Sequence, residues 1–321
     1  VGETMEPPFL DTLRSQPAWL LLLSFMGSVS LFRIALSFLK WLYTTSLRPA
    51  KNLRHYGRWA VVTGATDGIG RAFAFQLARE GLNLVLVGRN PDKLREVDGR
   101  IKAEVTSAEV ETVVADLSGD LTGGVCRLKR AIRLLDVGVL VNNAGMTYPE
   151  GMYLHEVGEE VWRGVVKVNL EGLTRVTQAV LPGMLQRKRG AIVNIGSGSS
   201  VVIPSHPLFA VYAATKAYVD SFSRSLHTEY KKNGIHVQCQ IPLYVATKMV
   251  SFKQSSMFTP TPEDYASSAT RYIGYEPRCM PYWPHYLQWC MVKLLPDSVV
   301  NAWRLQFGVS RRKLKDSTWD K

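Results

Sequence analysis

The chain has 321 residues, 46% of them hydrophobic, and its 39 basic against 27 acidic side chains leave a net charge of +12. That length is ample for a well-buried core and fits two small domains or one large α/β domain with extensions, while the charge favours an anionic partner such as a membrane surface, a nucleic acid or a phosphorylated substrate. The four cysteines, Cys126, Cys239, Cys279 and Cys290, are far apart and form no CxxC pair, which speaks against a disulfide framework or a zinc site and suits a reducing compartment.

The first element is apolar. From Ser15 to Phe32 the chain carries no charge, and after Arg33 the apolar character resumes until Lys40. A bilayer span needs about 20 such residues, so residues 15–40 are expected to be a membrane anchor behind an N-terminal tail, 1–14. Arg33 would be costly at a helix centre but can snorkel near an end. A cleaved signal peptide fits less well, because the segment starts acidic (Glu3, Glu6, Asp11) and no A-x-A site follows. A monotopic helix lying in the interface is a third reading. Arg33, Lys40, Arg48, Lys51, Arg54 and Arg58 then follow with no acidic residue before Asp67. The positive-inside rule therefore places the rest of the chain in the cytosol, beyond a basic juxtamembrane linker at 41–57.

Six apolar runs read as buried strands: 58–64, 82–88, 110–117, 137–145, 190–196 and 234–242. Helical patterns separate them at 69–80, 91–104, 120–134, 156–186 and 208–232. Strands alternating with helices predict an α/β fold with a doubly wound parallel sheet of the Rossmann type, over a catalytic domain at 58–250. Ligands of such sheets bind beyond the carboxyl ends of the strands.

The motifs fall at those ends. "TGATDGIG" (63–70) lies between the first strand and the first helix. Gly64 suits a tight turn there. Gly68 and Gly70 leave room for a pyrophosphate at the helix N-terminus, where free N–H groups and the dipole attract anions. A glycine-rich turn alone is weak, but this one has the strand–turn–helix context. The second strand ends in "LVGRN". An Asp or Glu there would suit a free ribose 2′-OH, whereas Arg89, with Arg71 opening the neighbouring helix, suits a 2′-phosphate and so NADPH over NADH. The plain alternative for Arg89 is a solvated surface charge.

With "ADL" (115–117), "NNAG" (142–145), Asn169 in "VNL", the serines of "NIGSGSS" and "YAATK" (212–216), these motifs appear in one order. Over about residues 55–250 the chain resembles the short-chain dehydrogenase/reductase family. The longer phrases "VIPSHPLFAVYAATKAYVDSFSRSL" and "GIHVQCQIPLYVATKM" are similar to a narrower group, the membrane-bound very-long-chain 3-oxoacyl-CoA reductases, the plant type in particular, and their 17β-hydroxysteroid dehydrogenase relatives. The resemblance implies an NADPH/NADP cofactor held by Gly64, Thr66, Asp67, Gly68, Ile69, Gly70, Arg71 and Arg89. It also implies that Asp116 contacts the adenine and that Asn143, Ala144 and Gly145 line that side of the cleft. Pro242, Val245 and Thr247 are implied to close over the nicotinamide and pyrophosphate, and Leu243 stands where many relatives have glycine. Tyr212 is implied to be the proton donor. Lys216 is implied to bond the ribose and acidify Tyr212, and Asn169 to hold a water linking Lys216 to solvent. For the serine two positions stand. The strand anchor gives Ser197, the first choice; counting thirteen residues back from Tyr212 gives Ser199.

Tyr212 and Lys216, four residues apart, share one face of a helix. A cation about 4 Å away at an effective dielectric of ~20 contributes roughly 4 kcal/mol before desolvation, a shift of at most about 3 pKa units, so the phenol is expected to move towards working pH. Ser197 is expected to donate to the developing alkoxide.

Residues 251–321 are expected to be a substrate lid and C-terminal extension, with the family's substrate-covering segment near 244–270. "TPTPEDYA" (259–266) reads as a helix start, with Thr261 as N-cap and Pro262 next. Residues 278–296, rich in aromatics and Met, read either as a helix packed on the core or as an interfacial segment. Arg311, Arg312, Lys313 and Lys315 are candidates for anionic lipid or CoA phosphates, or are simply solvated. The expectation is an NADPH-dependent reductase of 3-oxoacyl-CoA in microsomal fatty-acid elongation, on the cytosolic face of the endoplasmic reticulum membrane. Its implied partners are a condensing enzyme, a dehydratase and an enoyl reductase. Alternatives are a ketosteroid reductase and a non-catalytic membrane scaffold. Neither a nucleic-acid partner nor a metal is expected.

Overall fold

The computed structural model describes residues 16–250 and 254–319, with side chains through Arg312. The N-terminal tail 1–14 and the side chains of Lys313 and Lys315 therefore lie outside the described residues. The chain divides into two compact units, 1–49 and 50–321.

In the first unit, helix α1 (Ala18–Leu42) continues through a π-turn, Tyr43–Leu47, as one helical segment of 30 residues, long and apolar enough to cross a membrane. None of α1 is buried. The Ser30 hydroxyl donates to the Met26 carbonyl one turn back, so this polar group needs no water.

The second unit is built on a parallel sheet: β1 (Trp59–Thr63), β2 (Asn83–Gly88), β3 (Val110–Val114), β4 (Val137–Asn142), β5 (Gly190–Ile195), β6 (Ile235–Gln240) and β7 (Arg278–Cys279), in the order β3-β2-β1-β4-β5-β6-β7. Strand β1 pairs with β2 on one side (Val61 opposite Val85) and with β4 on the other (Val61 opposite Leu140). The direction in which successive strands are added reverses between β1 and β4, which opens a crevice at the strand ends.

Alternate residues of each strand feed opposite faces. Ala60, Val62, Leu84 and Leu86 pack in one core with Phe73 and Leu77 of α2 (Gly68–Arg79) and Leu94 of α3 (Pro91–Glu104). Val61, Val85 and Val87 pack in the other with Leu128 of α4 (Leu121–Ile132). The helices begin where capping side chains satisfy free N–H groups: Asp67 accepts from Gly68 N at 2.8 Å, Asn90 from Lys93 N at 3.0 Å and Asp120 from Gly123 N at 2.9 Å.

Three expectations are corrected. The single helix expected over 156–186 is broken into α5 (Glu159–Val166), a π-turn at Lys167–Gly172 and α6 (Leu173–Arg187). The π-turn adds a residue to the ladder and turns Asn169 inward. The seventh strand has two residues, too short for any periodicity, and is held by Arg278, whose Nε and Nη2 donate to Asp220 at 2.7 and 2.5 Å. Helix α9 (Pro262–Thr270) starts at Thr261 as the capping pattern predicts, its hydroxyl accepting from Asp264 N at 3.1 Å. It is not a lid: Tyr265, Ala266, Ala269 and Ile273 are fully buried in the core beside Phe73 and Leu77.

Between β5 and β6 run the four-residue helix α7 (Gly198–Val201) and α8 (Ala210–Tyr230). The chain closes with α10 (Trp283–Val292) and α11 (Asp297–Trp319).

Candidate active site

Two cavities meet at the carboxyl end of the sheet, one of about 480 Å³ and one of about 690 Å³. Ser197, Tyr212, Leu243, Met249 and Val250 line both. The smaller cavity follows the crevice. Its wall takes in Gly64, Thr66, Asp67, Gly68 and Ile69 from the first turn, and Arg89 and Asp116 beyond β2 and β3. Asn143, Ala144 and Gly145 follow β4, and Lys216, Pro242, Val245 and Thr247 complete it.

The first turn is drawn tight. Gly64 has φ +64 and Gly68 φ +52, a region side chains rarely adopt. Gly70 and Arg71 are placed differently from expectation and do not line the cavity. A Cβ at Gly70 would stand 2.2 Å from Asn143 Nδ2 and 2.3 Å from Gly64 O, so this glycine serves the packing of the turn. Arg71 lies over the Phe75 ring at 5.7 Å. The Asn143 amide donates to Thr63 O at 3.1 Å and to Gly64 O at 3.3 Å, tying the ends of β1 and β4 together.

At the far end, the Ser118 hydroxyl donates to Asp116 at 2.7 Å and is the largest cause holding that carboxylate below its usual range; the nearby Arg89 adds to it. At the turn, Lys248 donates to Asp67 at 2.7 Å. Partial burial pushes Asp67 up, but this bond and the Gly68 N–H outweigh it and hold the carboxyl below its usual range. A Cβ on Gly68 would meet Thr247 Cγ2 at 3.1 Å, so the strap after β6 rests on the start of α2. Lys248 was missed by sequence reasoning; it stands 181 residues from its partner and no local pattern signals it.

The strap itself departs from the family pattern at Leu243, and its surroundings accommodate the change. A Cβ on Gly198 would lie 2.1 Å from Leu243 Cδ2, so glycine at 198 makes room for leucine at 243. Leu243 N donates to His285 Nδ1 at 3.2 Å, and His285 Nε2 stands 3.2 Å from Tyr244 O. His285 is completely buried, and burial lowers its pKa to about 4, so the neutral ring that accepts on Nδ1 and donates from Nε2 is the stable form.

Tyr212 and Lys216 share one face of α8, as their spacing predicts. Burial raises the Tyr212 pKa; a hydrogen bond with Ser197 works against this, and the neighbouring Tyr244 adds to it. Burial also lowers Lys216, to about 8. Its Nζ donates to Ile195 O at 2.8 Å and stands 5.9 Å from the Tyr212 ring centre. In this arrangement burial, the largest cause, sets the direction of the Tyr212 shift. The same desolvation raises the phenol and loosens the lysine's own proton.

Ser197 is the serine bonded to Tyr212, and it faces both cavities. Ser199 lines the larger cavity alone; its N–H donates to Ser197 Oγ at 3.1 Å and its own hydroxyl is buried without a partner. Asn169 lies just behind the wall. Its Oδ1 accepts from Met146 N at 2.8 Å, and its Nδ2 donates to Met146 O and to Thr215 Oγ1, both at 2.9 Å. Both amide hydrogens are thus committed. The side chain fixes the loop after β4 against α8.

Residues 58–257 match the family model described as short chain dehydrogenase. The chain belongs to the short-chain dehydrogenase family. Among relatives of this dehydrogenase, a very-long-chain 3-oxoacyl-CoA reductase-like protein of Arabidopsis thaliana is 50% identical over 305 residues, 94% of this chain and 97% of that protein. A human protein named inactive hydroxysteroid dehydrogenase-like protein 1 is 41% identical over 249 residues, 76% of this chain and 74% of that one. Among solved structures, a short-chain dehydrogenase from Sphingobium yanoikuyae in complex with NADPH matches with a TM-score of 0.63 and 28% identity, over 73% of this chain and 92% of that chain.

Proposed function

We propose that this dehydrogenase reduces very-long-chain 3-oxoacyl-CoA to 3-hydroxyacyl-CoA with NADPH. The observation that carries the reading is that Ser197 and Tyr212 both stand where the crevice opens into a larger, mostly apolar cavity. The Arabidopsis relative's name supports the substrate class. The crevice fits a phosphorylated dinucleotide. The N-terminus of α2 offers its N–H groups, Arg89 and Asp116 stand beyond β2 and β3, and Lys216 stands at the other end. NADPH supplies the hydride when bound. Tyr212 donates the proton to the ketone oxygen, and Ser197 donates a second hydrogen bond to that oxygen as negative charge develops. Lys216, an ammonium that titrates near pH 8, holds the ribose and is the reserve from which the phenol is reprotonated. Asn169 keeps the Gly145–Met146 loop fixed beside Lys216.

The reading extends to place and partners. The apolar helix α1 and the basic residues after it support a chain anchored in the endoplasmic reticulum membrane with the second unit in the cytosol. Condensing enzyme, dehydratase and enoyl reductase are the partners that elongation chemistry requires. Trp283, Leu287 and Met291 form an exposed apolar stripe along α10, continued by Leu294 and Leu295. On a chain carrying a membrane-length helix, a stripe of this composition suits lipid headgroup depth.

The test is NADPH oxidation by the membrane-reconstituted protein across 3-oxoacyl-CoA lengths, in competition with a ketosteroid. Turnover of long 3-oxoacyl-CoA that Tyr212→Phe abolishes, with NADPH binding intact, supports the reading. Preference for the steroid selects the ketosteroid alternative, and absence of turnover on every ketone selects the scaffold.

A further inference from the structure

The larger cavity is apolar over most of its wall, and of the three arginines that α11 brings to it (Arg304, Arg311 and Arg312), Arg304 has the most enclosed hydrogen-bonding partners. The Arg304 guanidinium donates from Nη1 to Tyr244 OH at 3.1 Å and lies with Nη2 2.7 Å from His206 Nε2. Its Nε is buried with no hydrogen-bond partner. Among the described residues no carboxylate comes within ion-pair distance of it. The rings of Trp303 and Phe307 stand 5.7 and 5.9 Å from it, and the Arg311 guanidinium packs on the same Phe307 ring at 5.5 Å. Burial, with Arg304 beside it, pushes His206 down to about 3, so that ring stays neutral and accepts on Nε2. Its Nδ1 then carries the proton, and it too is buried without a partner, as is the Ser199 hydroxyl. Three unpaired donors thus lie buried in the wall of one cavity, which Glu150 also lines.

Such a cavity is incomplete without a ligand rich in acceptor oxygen. It is also joined to the reacting end, because Tyr244, which Arg304 bonds, is an electrostatic neighbour of the Tyr212 phenol. A 3-oxoacyl thioester carries a second carbonyl two carbons from the ketone. An isolated ketone, such as that of a steroid, has nothing there.

We infer that Arg304 is a specificity-determining residue that receives the thioester carbonyl oxygen of the substrate while Tyr212 and Ser197 hold the ketone oxygen. The inference rests on the 3-oxoacyl reading and adds the group that selects it. A site built to bond an oxygen discriminates strongly against a substrate that lacks it, because its donors are then left buried and unpaired.

The test compares wild type, Arg304→Met and Arg304→Lys on three substrates of equal chain length: the 3-oxoacyl-CoA, the 3-oxoacyl N-acetylcysteamine thioester, which lacks the CoA phosphates, and the methyl ketone. NADPH affinity is followed by fluorescence. Arg304→Met should lower kcat/KM about 30-fold or more on both thioesters, with NADPH affinity unchanged and the methyl ketone affected less than about threefold. Arg304→Lys should recover part of the loss, since the charge remains but the fork does not. A loss confined to the CoA ester would make Arg304 a phosphate contact and overturn the inference. So would an equal loss on all three substrates, or unchanged kinetics. Wild-type protein inert on both thioesters would overturn the functional reading itself, and the inference with it.

Discussion

Lys216 offers the sharpest check on the site's electrostatics. It is 6% exposed, and burial lowers its pKa from 10.5 to about 8. A folded-state pKa below the unfolded one means that folding penalises the ammonium. At pH 7 the lysine is charged in both states and the full penalty applies; it is relieved only as pH rises from about 8 through 10.5. The shift corresponds to about 3 kcal/mol at neutral pH. Lys216→Met keeps the length of the side chain and removes the charge. It also removes the bond to Ile195 O, leaving that carbonyl unpaired at a cost of about 1–2 kcal/mol. The ligand-free variant should therefore be more stable than wild type by about 1–2 kcal/mol. In a unit of this size that raises the midpoint of thermal unfolding by about 2–6 °C. The assay is thermal unfolding in detergent with and without NADPH. Saturation at 100 times Kd adds about 2.7 kcal/mol to wild type and should add less to the variant, which lacks the ammonium we propose holds the ribose. Stability and cofactor affinity would then move in opposite directions, the mark of a residue retained for function. A ligand-free variant that melts below wild type would refute the reasoning, because Lys216 would then be a structural asset and not a strained cation.

Three further outcomes follow from the same geometry. Ser197→Ala should lower kcat about 100-fold or more, while Ser199→Ala, whose hydroxyl bonds nothing, should stay within a few-fold; steady-state kinetics on the two variants checks it. Arg89→Asp should reverse the preference for NADPH over NADH, read as a fall of about 100-fold in the ratio of their kcat/KM values. Acid should weaken the strap: His285 is neutral in the fold down to about pH 4 but protonates near 6.5 when unfolded, so its share of stability is complete above 6.5 and is lost as pH falls towards 4. By pH 5 that loss is about 2 kcal/mol, measurable as a lower urea midpoint that His285→Gln should largely remove.

What the sequence disclosed and what it withheld divide along the range of the interaction. The glycine turn, the Thr261 cap, the six apolar strands and the shared face of Tyr212 and Lys216 are set by residues within a few positions of one another, and each was legible. The same spacing carries only part of the electrostatics. Four residues bring an ammonium near a phenol, but whether it acidifies that phenol depends on the wall around both. Residues 195 and 212–216 lie in different elements, and the Ile195 carbonyl accepts a hydrogen bond from the ammonium. Thr261 announced a helix, yet nothing local announced that Tyr265 would be buried against Phe73 and not laid over the substrate.

The departure at Leu243 shows the long-range half of the problem most plainly. Read alone, leucine in place of glycine casts doubt on the strap's path. In the fold it is compensated by an absent side chain at Gly198 and by a buried imidazole at His285, 45 residues before and 42 residues after it. His285 also bonds the Tyr244 carbonyl, and the Tyr244 hydroxyl accepts from Arg304, so the substitution that weakens the family resemblance is joined through His285 and Tyr244 to the group we assign to substrate choice. Residues that bind the cofactor are constrained by a ligand the whole family shares, and their pattern is readable in one chain. Residues that choose the substrate are constrained by one another, and only the folded arrangement displays them together.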